Sequence, residues 1–219
     1  QIEDFTVAAV GEQYDLMYSD RAYNRTSSTN QYVGTATNPY TGVDIVFRHA
    51  LSSIVFKVGT DADYSKADND FKIKSITIKN VYGAGEFNEG LTDGTTDRTP
   101  VWTATGDANN EYVAFSGEFA VPEDGTTRQE PTNAADLILL PQSFATNNSA
   151  IVEITYTYGS SISGAIEHTE TFQLNHATNV QAWEPNKRYT YNIIFGLVKI
   201  YFAPVVEAWD DVNVGDIEL

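Results

Sequence analysis

A chain of 219 residues with 30 Asp and Glu against 13 Lys and Arg has a formal net charge of −17, which disfavours nucleic acid and anionic membrane surfaces as partners, since both must be met with Lys and Arg. The absence of cysteine excludes a disulfide scaffold and any thiolate metal site, so packing and hydrogen bonding must hold the fold. No run approaches the roughly 20 apolar residues of a membrane-spanning helix, and the length suits one sizeable β domain or part of a second.

Residues 1–42 carry the least pattern. Phe5, Val7 and Ala9 alternate with Thr6 and Ala8, the period of an extended chain. DLMYSD at Asp15–Asp20 reads as a short strand or turn, and the Ser, Thr, Asn and Gly of Arg21–Gly42 read as a long loop. A loop of that length is uncommon inside a compact domain. Residues 1–42 are therefore expected to be the C-terminal part or remnant of an N-terminal β domain, and residues 43–219 a C-terminal β-sandwich domain. The opening QIEDFTVAAV lacks Met and already alternates, as expected of a mature or trimmed product.

VDIVFRHALSSIVFKV is strongly β in character. Val43, Ile45 and Phe47 share one phase while Ile54, Phe56 and Val58 share the other, so the pattern slips near His49-Ala50-Leu51. A β-bulge or a crossing between sheets absorbs such a slip. DADYSKADND is an acidic loop, after which FKIKSITIKNVY repeats the slip, with Phe71 and Ile73 in one phase and Ile76 and Ile78 in the other. Gly83–Thr99 reads as loop. VWTAT, YVAFSGEFAV and LILLPQSF read as short strands, AIVEITYTY as the cleanest alternation, and HTETFQL as its hairpin partner.

The C-terminal stretch Trp183–Trp209 holds two more strands. Tyr189, Tyr191, Ile193 and Phe195 share one face of the first, and Val198, Ile200 and Phe202 one face of the second, with Pro204 expected to interrupt the ladder. A strand pair this apolar needs sheet partners and a facing layer. VEITYTY, TFQL and the His49 strand are the expected suppliers. The sum is about eight to ten strands with turn signals about every 8–15 residues, the pattern of a sandwich or barrel with essentially no helix.

Three blocks in their order, FRHALSSIVFKV, LILLPQSF followed by VEITYTY, and WEPNKRYTYNIIFGLVKIYF…VVEAW, resemble the fimbrillin superfamily of Bacteroidota, the pilins, anchors and tip proteins of type V pili. DLMYSD resembles the short element that often precedes the first block there. The resemblance implies an all-β, transthyretin-like or immunoglobulin-like antiparallel β-sandwich with the remnant of a preceding β-sandwich domain. It also implies a lipoprotein precursor exported to the cell surface or outer membrane, removal of an N-terminal strand by a protease, and assembly with other pilus subunits by β-strand addition. No catalysis and no cofactor are expected. The competing expectation is a surface module that binds a host glycan or protein and does not polymerise.

Individual residues fit these expectations. His49, His168 and His176 lack the convergence of a zinc site and read as structural, His49 as the donor or acceptor of a hydrogen bond that stabilises a bulge. Asp61, Asp63, Asp68 and Asp70 lack the central Gly and closing Glu of a calcium loop and read as solvated. No nucleophile elbow or phosphate-binding Gly loop is present. Tyr14, Tyr18, Tyr23, Tyr32 and Tyr40 cluster in the loop-rich start, and Tyr23, Tyr32 and Tyr40 are the candidate adhesive aromatics. Trp102, Trp183 and Trp209 read as core or edge plugs. Beyond Trp209, Val212, Val214, Ile217 and Leu219 form a candidate assembly strand, read either as an edge strand of its own sandwich or as a donor to a neighbour.

Overall fold

Alternation at period two runs through most of this sequence, and the chain answers it with strands. The computed structural model describes residues 1–19, 46–62, 71–90, 99–147, 149–159, 164–176, 180–196, 200–209 and 212–213. In chain order the strands are β1 (Ile2–Thr6), β2 (Met17–Ser19), β3 (Val46–His49), β4 (Ser52–Thr60), β5 (Lys72–Val81), β6 (Ala84–Asn88), β7 (Val101–Thr105) and β8 (Asn110–Ala120). They continue with β9 (Leu137–Leu139), β10 (Gln142–Ser143), β11 (Ile151–Tyr158), β12 (Ile166–Gln173), β13 (Ala182–Trp183), β14 (Lys187–Phe195), β15 (Ile200–Ala208) and β16 (Val212–Asn213). A 3₁₀ turn at Leu174–His176 is the one helical element among the described residues.

Strands with one apolar face must bury it, and here two four-stranded sheets bury theirs against each other. The first, ordered β12-β11-β5-β8, is antiparallel throughout. The second, β15-β14-β4-β9, contains a parallel pair: β14 lies beside β4 in register from Lys187↔Ser52 to Phe195↔Thr60. Tyr189, Tyr191, Ile193 and Phe195 of β14 point inward and join Ile73, Ile76 and Ile78 of β5 and Val152, Ile154 and Tyr156 of β11 in one core cluster. Ring contacts bridge the layers, with Phe195 centred 4.8 Å from Phe71 and 5.0 Å from Tyr156. The expected all-β sandwich is what forms.

The two phase slips have different causes. At the first, β3 ends at His49 and β4 begins at Ser52 in another sheet, so the chain crosses between sheets rather than bulging. At the second, β5 stays one strand: Ile73 faces Tyr156 and Ser75 faces Thr155, leaving Lys74 as the extra residue of a bulge. That bulge lets Ile73, Ile76 and Ile78 all reach the core, each with no exposed surface.

Two expectations are corrected. Gly83–Thr99 is not all loop, because β6 lies between β1 and β7. Its sequence AGEFN has little β propensity, but Gly85 sits where an added Cβ would come 2.9 Å from the Thr103 carbonyl, so the glycine permits close strand approach. Pro204 does not end its ladder. The β14·β15 register runs on through Tyr191↔Pro204 to Lys187↔Ala208. β15 is the outer strand of its sheet, where a missing N–H can face the unpaired side. The in-sheet partner of the C-terminal hairpin is β4, the second half of the block that holds His49, while β11 and β12 face it from the opposite layer.

Smaller sheets close the ends of the sandwich. β1-β6-β7 carries Phe5 into the core cluster, which Val7 joins just beyond β1, and Val7 donates its N–H to the Gly83 carbonyl at 2.8 Å. β16-β3-β2 gathers segments from both ends of the described chain around β3, and β10 pairs with β13.

Candidate functional site

The C-terminal hairpin and its exit are built from the sandwich outward. Phe56, Tyr191, Phe202 and Phe172 form a row of stacked rings running from β4 across β14 and β15 to β12 of the facing sheet, with successive centroid separations of 5.6, 4.8 and 5.1 Å. Stacked aromatics bury large apolar area and fix one another's orientation. The Tyr191 hydroxyl accepts the Trp183 indole N–H at 2.9 Å, and the Tyr189 hydroxyl accepts the Glu184 N–H at 2.8 Å. Burial pushes the Tyr189 phenol up to about 12 and raises Tyr191 further, since neither tyrosinate has water to face. These hydroxyls serve the fold as neutral hydrogen-bonding groups.

The hairpin leaves the sandwich at Trp209, which lies flat on His49 with ring centroids 3.7 Å apart and planes 5° from parallel. The Trp209 N–H donates to the Asn186 carbonyl at 3.0 Å, and the Asn186 side-chain oxygen accepts the His49 N–H at 3.2 Å. His49 Nδ1 donates to Asp15 Oδ2 at 2.7 Å, and the Ala50 N–H donates to the Leu16 carbonyl at 2.7 Å. His49 thus takes part in hydrogen bonds at a crossing between sheets, with no bulge there to stabilise. Sequence reasoning missed this junction because its members are far apart in the chain. Its only local signals were a histidine at a phase slip and a tryptophan ending a hairpin.

Other candidate residues resolve into structural roles or fall elsewhere. Trp183 is buried in the core, whereas Trp102 is half-buried and donates its N–H to the Ala50 carbonyl at 2.6 Å. His168 stacks against Tyr156 and Tyr158, and His176 ends the 3₁₀ turn. Asp61 accepts the N–H of its neighbour Ala62, while Asp63, Asp68 and Asp70 lie outside the described residues. No group of three or more His, Asp or Glu among the described residues is placed to hold a metal ion. Tyr14 is exposed beside Phe5 and Tyr18 packs on Phe87, while Tyr23, Tyr32 and Tyr40 lie outside the described residues. Val212 belongs to β16, opposite Phe47 of β3, and Val214, Ile217 and Leu219 lie outside the described residues.

Charged groups sit mainly on the outer faces. Lys72 and Lys74 grip Glu118 at 2.8 and 2.6 Å and lower its carboxyl to about 2. Hydrogen bonds from Thr127 and Thr126 hold Asp124 well below the usual carboxylate range. Burial raises Glu130, with Asp136 adding to the effect and Arg188 and Lys57 opposing it.

Residues 3–209 match the family described as fimbrillin-like. The chain belongs to the fimbrillin-like family. Solved structures similar to it include a fimbrial protein from Bacteroides vulgatus, with 14% identity over 91% of this chain and 72% of that one and a TM-score of 0.48. Candidate cell adhesion proteins from Bacteroides uniformis and Bacteroides ovatus match at 16% identity each, with TM-scores of 0.45 and 0.36. They are covered over 66% and 63% of their lengths by 89% and 92% of this chain, so this fimbrillin-like chain spans just under two thirds of those two relatives. No curated protein matches the chain.

Proposed function

We propose that this fimbrillin-like chain is a structural or accessory, adhesive subunit of a cell-surface pilus, joined to its neighbours by β-strand addition and performing no catalysis. The match to the fimbrillin-like family over residues 3–209 carries the reading. Two features support it. β15 and β12 are outer strands of their sheets, and strand addition draws its main-chain hydrogen bonds from such edges. The pairing of Val212–Asn213 with Phe47 and Val46 of β3 is main-chain sheet bonding of the kind that strand addition uses. Val212, Val214, Ile217 and Leu219 are the assembly strand on this reading. The protein is exported to the cell surface, and its partners are other pilus subunits.

Deletion of residues 212–219 tests the assignment. Loss of polymer with an unchanged monomer melting temperature supports donation to a neighbour. A collapsed melting temperature assigns the strand to its own sheet and rejects donation. The adhesive part of the proposal rests on Tyr23, Tyr32 and Tyr40, and binding of the monomer on a glycan array should fall when these three are substituted. Residues 1–42 as the end of a preceding domain form a separate proposal, supported if residues 43–219 alone keep a cooperative melt.

A further inference from the structure

We propose that the outer side of β12 is a docking edge for an extended strand of another protein, one carrying two basic residues three positions apart. The sandwich has two long edges, and they are finished differently. On the β8 side, Ala135 donates its N–H to the Ala114 carbonyl at 2.7 Å, and the β5·β8 register shifts at three places. Beyond β9, β4 is covered as well: Gln129 exchanges both main-chain bonds with Val58, and the Thr60 N–H donates to the Pro122 carbonyl. Cover and bulges of this kind stop a strand edge from recruiting another chain. On the opposite side, β15 carries Pro204, which has no N–H to offer. β12 has none of these devices. Its register with β11 runs through eight pairs, from Ile151↔Gln173 to Tyr158↔Ile166, without a bulge or a proline. No described segment bonds its other side, six of its eight residues are exposed, and Ile166 is 59% exposed.

The charges on β12 choose the partner. Residues opposite one another in paired strands share a face, so Glu170, opposite Ile154, lies on the core-facing side and Glu167, opposite Thr157, on the outer side. Both glutamates are exposed, and neither makes an ion pair among the described residues. An added strand sets one residue opposite each glutamate, and in either orientation those two residues are three positions apart. Opposite charges attract there and like charges repel. A second copy of β12 meets this badly: laid antiparallel in full overlap it sets Glu167 diagonal to Glu170 of the other copy, and in a neighbouring register it sets them opposite. The acidic stretch holding Asp210, Asp211, Asp216 and Glu218 is no better suited. Nor does this sequence hold any two Lys or Arg three positions apart. The matching strand therefore comes from a different polypeptide. Main-chain bonds to β12 supply the hold, and the basic pair supplies the selection. The inference goes beyond donation of residues 212–219 and does not depend on it.

Peptide binding to the full chain tests the edge. The probes are Thr-Val-Lys-Thr-Val-Lys-Thr-Val-Thr, its counterpart with Glu for Lys, and one with Pro for Val, which keeps the charge but cannot form a strand ladder. Because two charge pairs change sign, the lysine peptide should bind about tenfold tighter than the glutamate peptide or more, and the proline peptide should lose at least as much. Its binding should slow exchange of β12 amides and leave those of β15 unchanged. Glu167→Lys combined with Glu170→Lys should invert the preference, and since both side chains are exposed the core stays intact. Equal binding of the lysine and proline peptides means charge attraction alone and overturns the edge, as does absence of binding or protection of β15 in place of β12. A lysine preference that survives the double substitution overturns the assigned pairing. A wild-type dimer with β12 amides protected in the absence of peptide overturns the choice of partner. Deleting residues 212–219 should leave the peptide affinities as they are, so loss of polymer in that variant and loss of peptide binding in the glutamate variant are separate results.

Discussion

The sandwich and the small end sheets are held in different ways. Between β5-β11 and β4-β14, long registers and an inward row of Ile, Val, Tyr and Phe make one core in which no single contact is decisive. Around β3 and β1, individual side chains tie the segments together: Trp102 on Ala50, Asp15 and Trp209 on His49, Gln13 accepting the Ile138 N–H at 2.9 Å. Loss of one core group lowers the stability of the whole sandwich, whereas loss of one of those side chains can open an end sheet alone. The end sheets are thus the parts expected to open at lower free energy than the sandwich.

The largest expected effect separates the tryptophans. Trp183→Ala opens a core position that is 2% exposed and leaves the Tyr191 hydroxyl without its donor, at a cost of about 3–5 kcal/mol by chemical denaturation. Equal losses from Trp183→Ala and Trp209→Ala would break the contrast between the two regions. High pH should also strike the sandwich first. Folded Tyr189 titrates at about 12 against an ordinary 10.0, and Tyr191 is raised as well. Their stabilising contribution is intact below the unfolded value and is lost as pH rises through the folded one. Tyrosinate absorbance from these two residues should therefore appear together with unfolding.

Trp102→Phe keeps a ring beside Phe5 and Phe87 but removes the hydrogen bond to Ala50 and part of the packed area, so it should cost about 1–2 kcal/mol and loosen the β3–β4 crossing more than the core. The smallest effect belongs to the sandwich's outer face. Lys79 meets Glu153 at 2.8 Å, and Lys79→Ala should cost less than about 1 kcal/mol, with the difference shrinking as salt is added.

What was legible in the sequence follows the same division. β11 and β14 announce themselves by alternation, and each phase slip marked a place where a bulge or a sheet crossing had to fall, without telling which. The parallel pairing of β14 with β4 was not legible, because period shows which face a strand buries but not which distant strand lies beside it. β6 was missed because its strand state comes from β1 and β7 on either side rather than from AGEFN. Pro204 was misread because its cost depends on whether its strand is central or outer, a property of the sheet. The His49 junction was invisible for a simpler reason: its bonds join residues 34 and 137 positions apart, and no local spacing records them.

Native-state hydrogen exchange across the whole chain tests the division most directly. Amides of β4, β5, β11 and β14 should exchange only through global unfolding, with free energies equal to the denaturant value, while those of β1, β2 and β3 exchange through openings of lower free energy. Uniform protection across both sets, or β3 amides as slow as those of β14, would contradict the account.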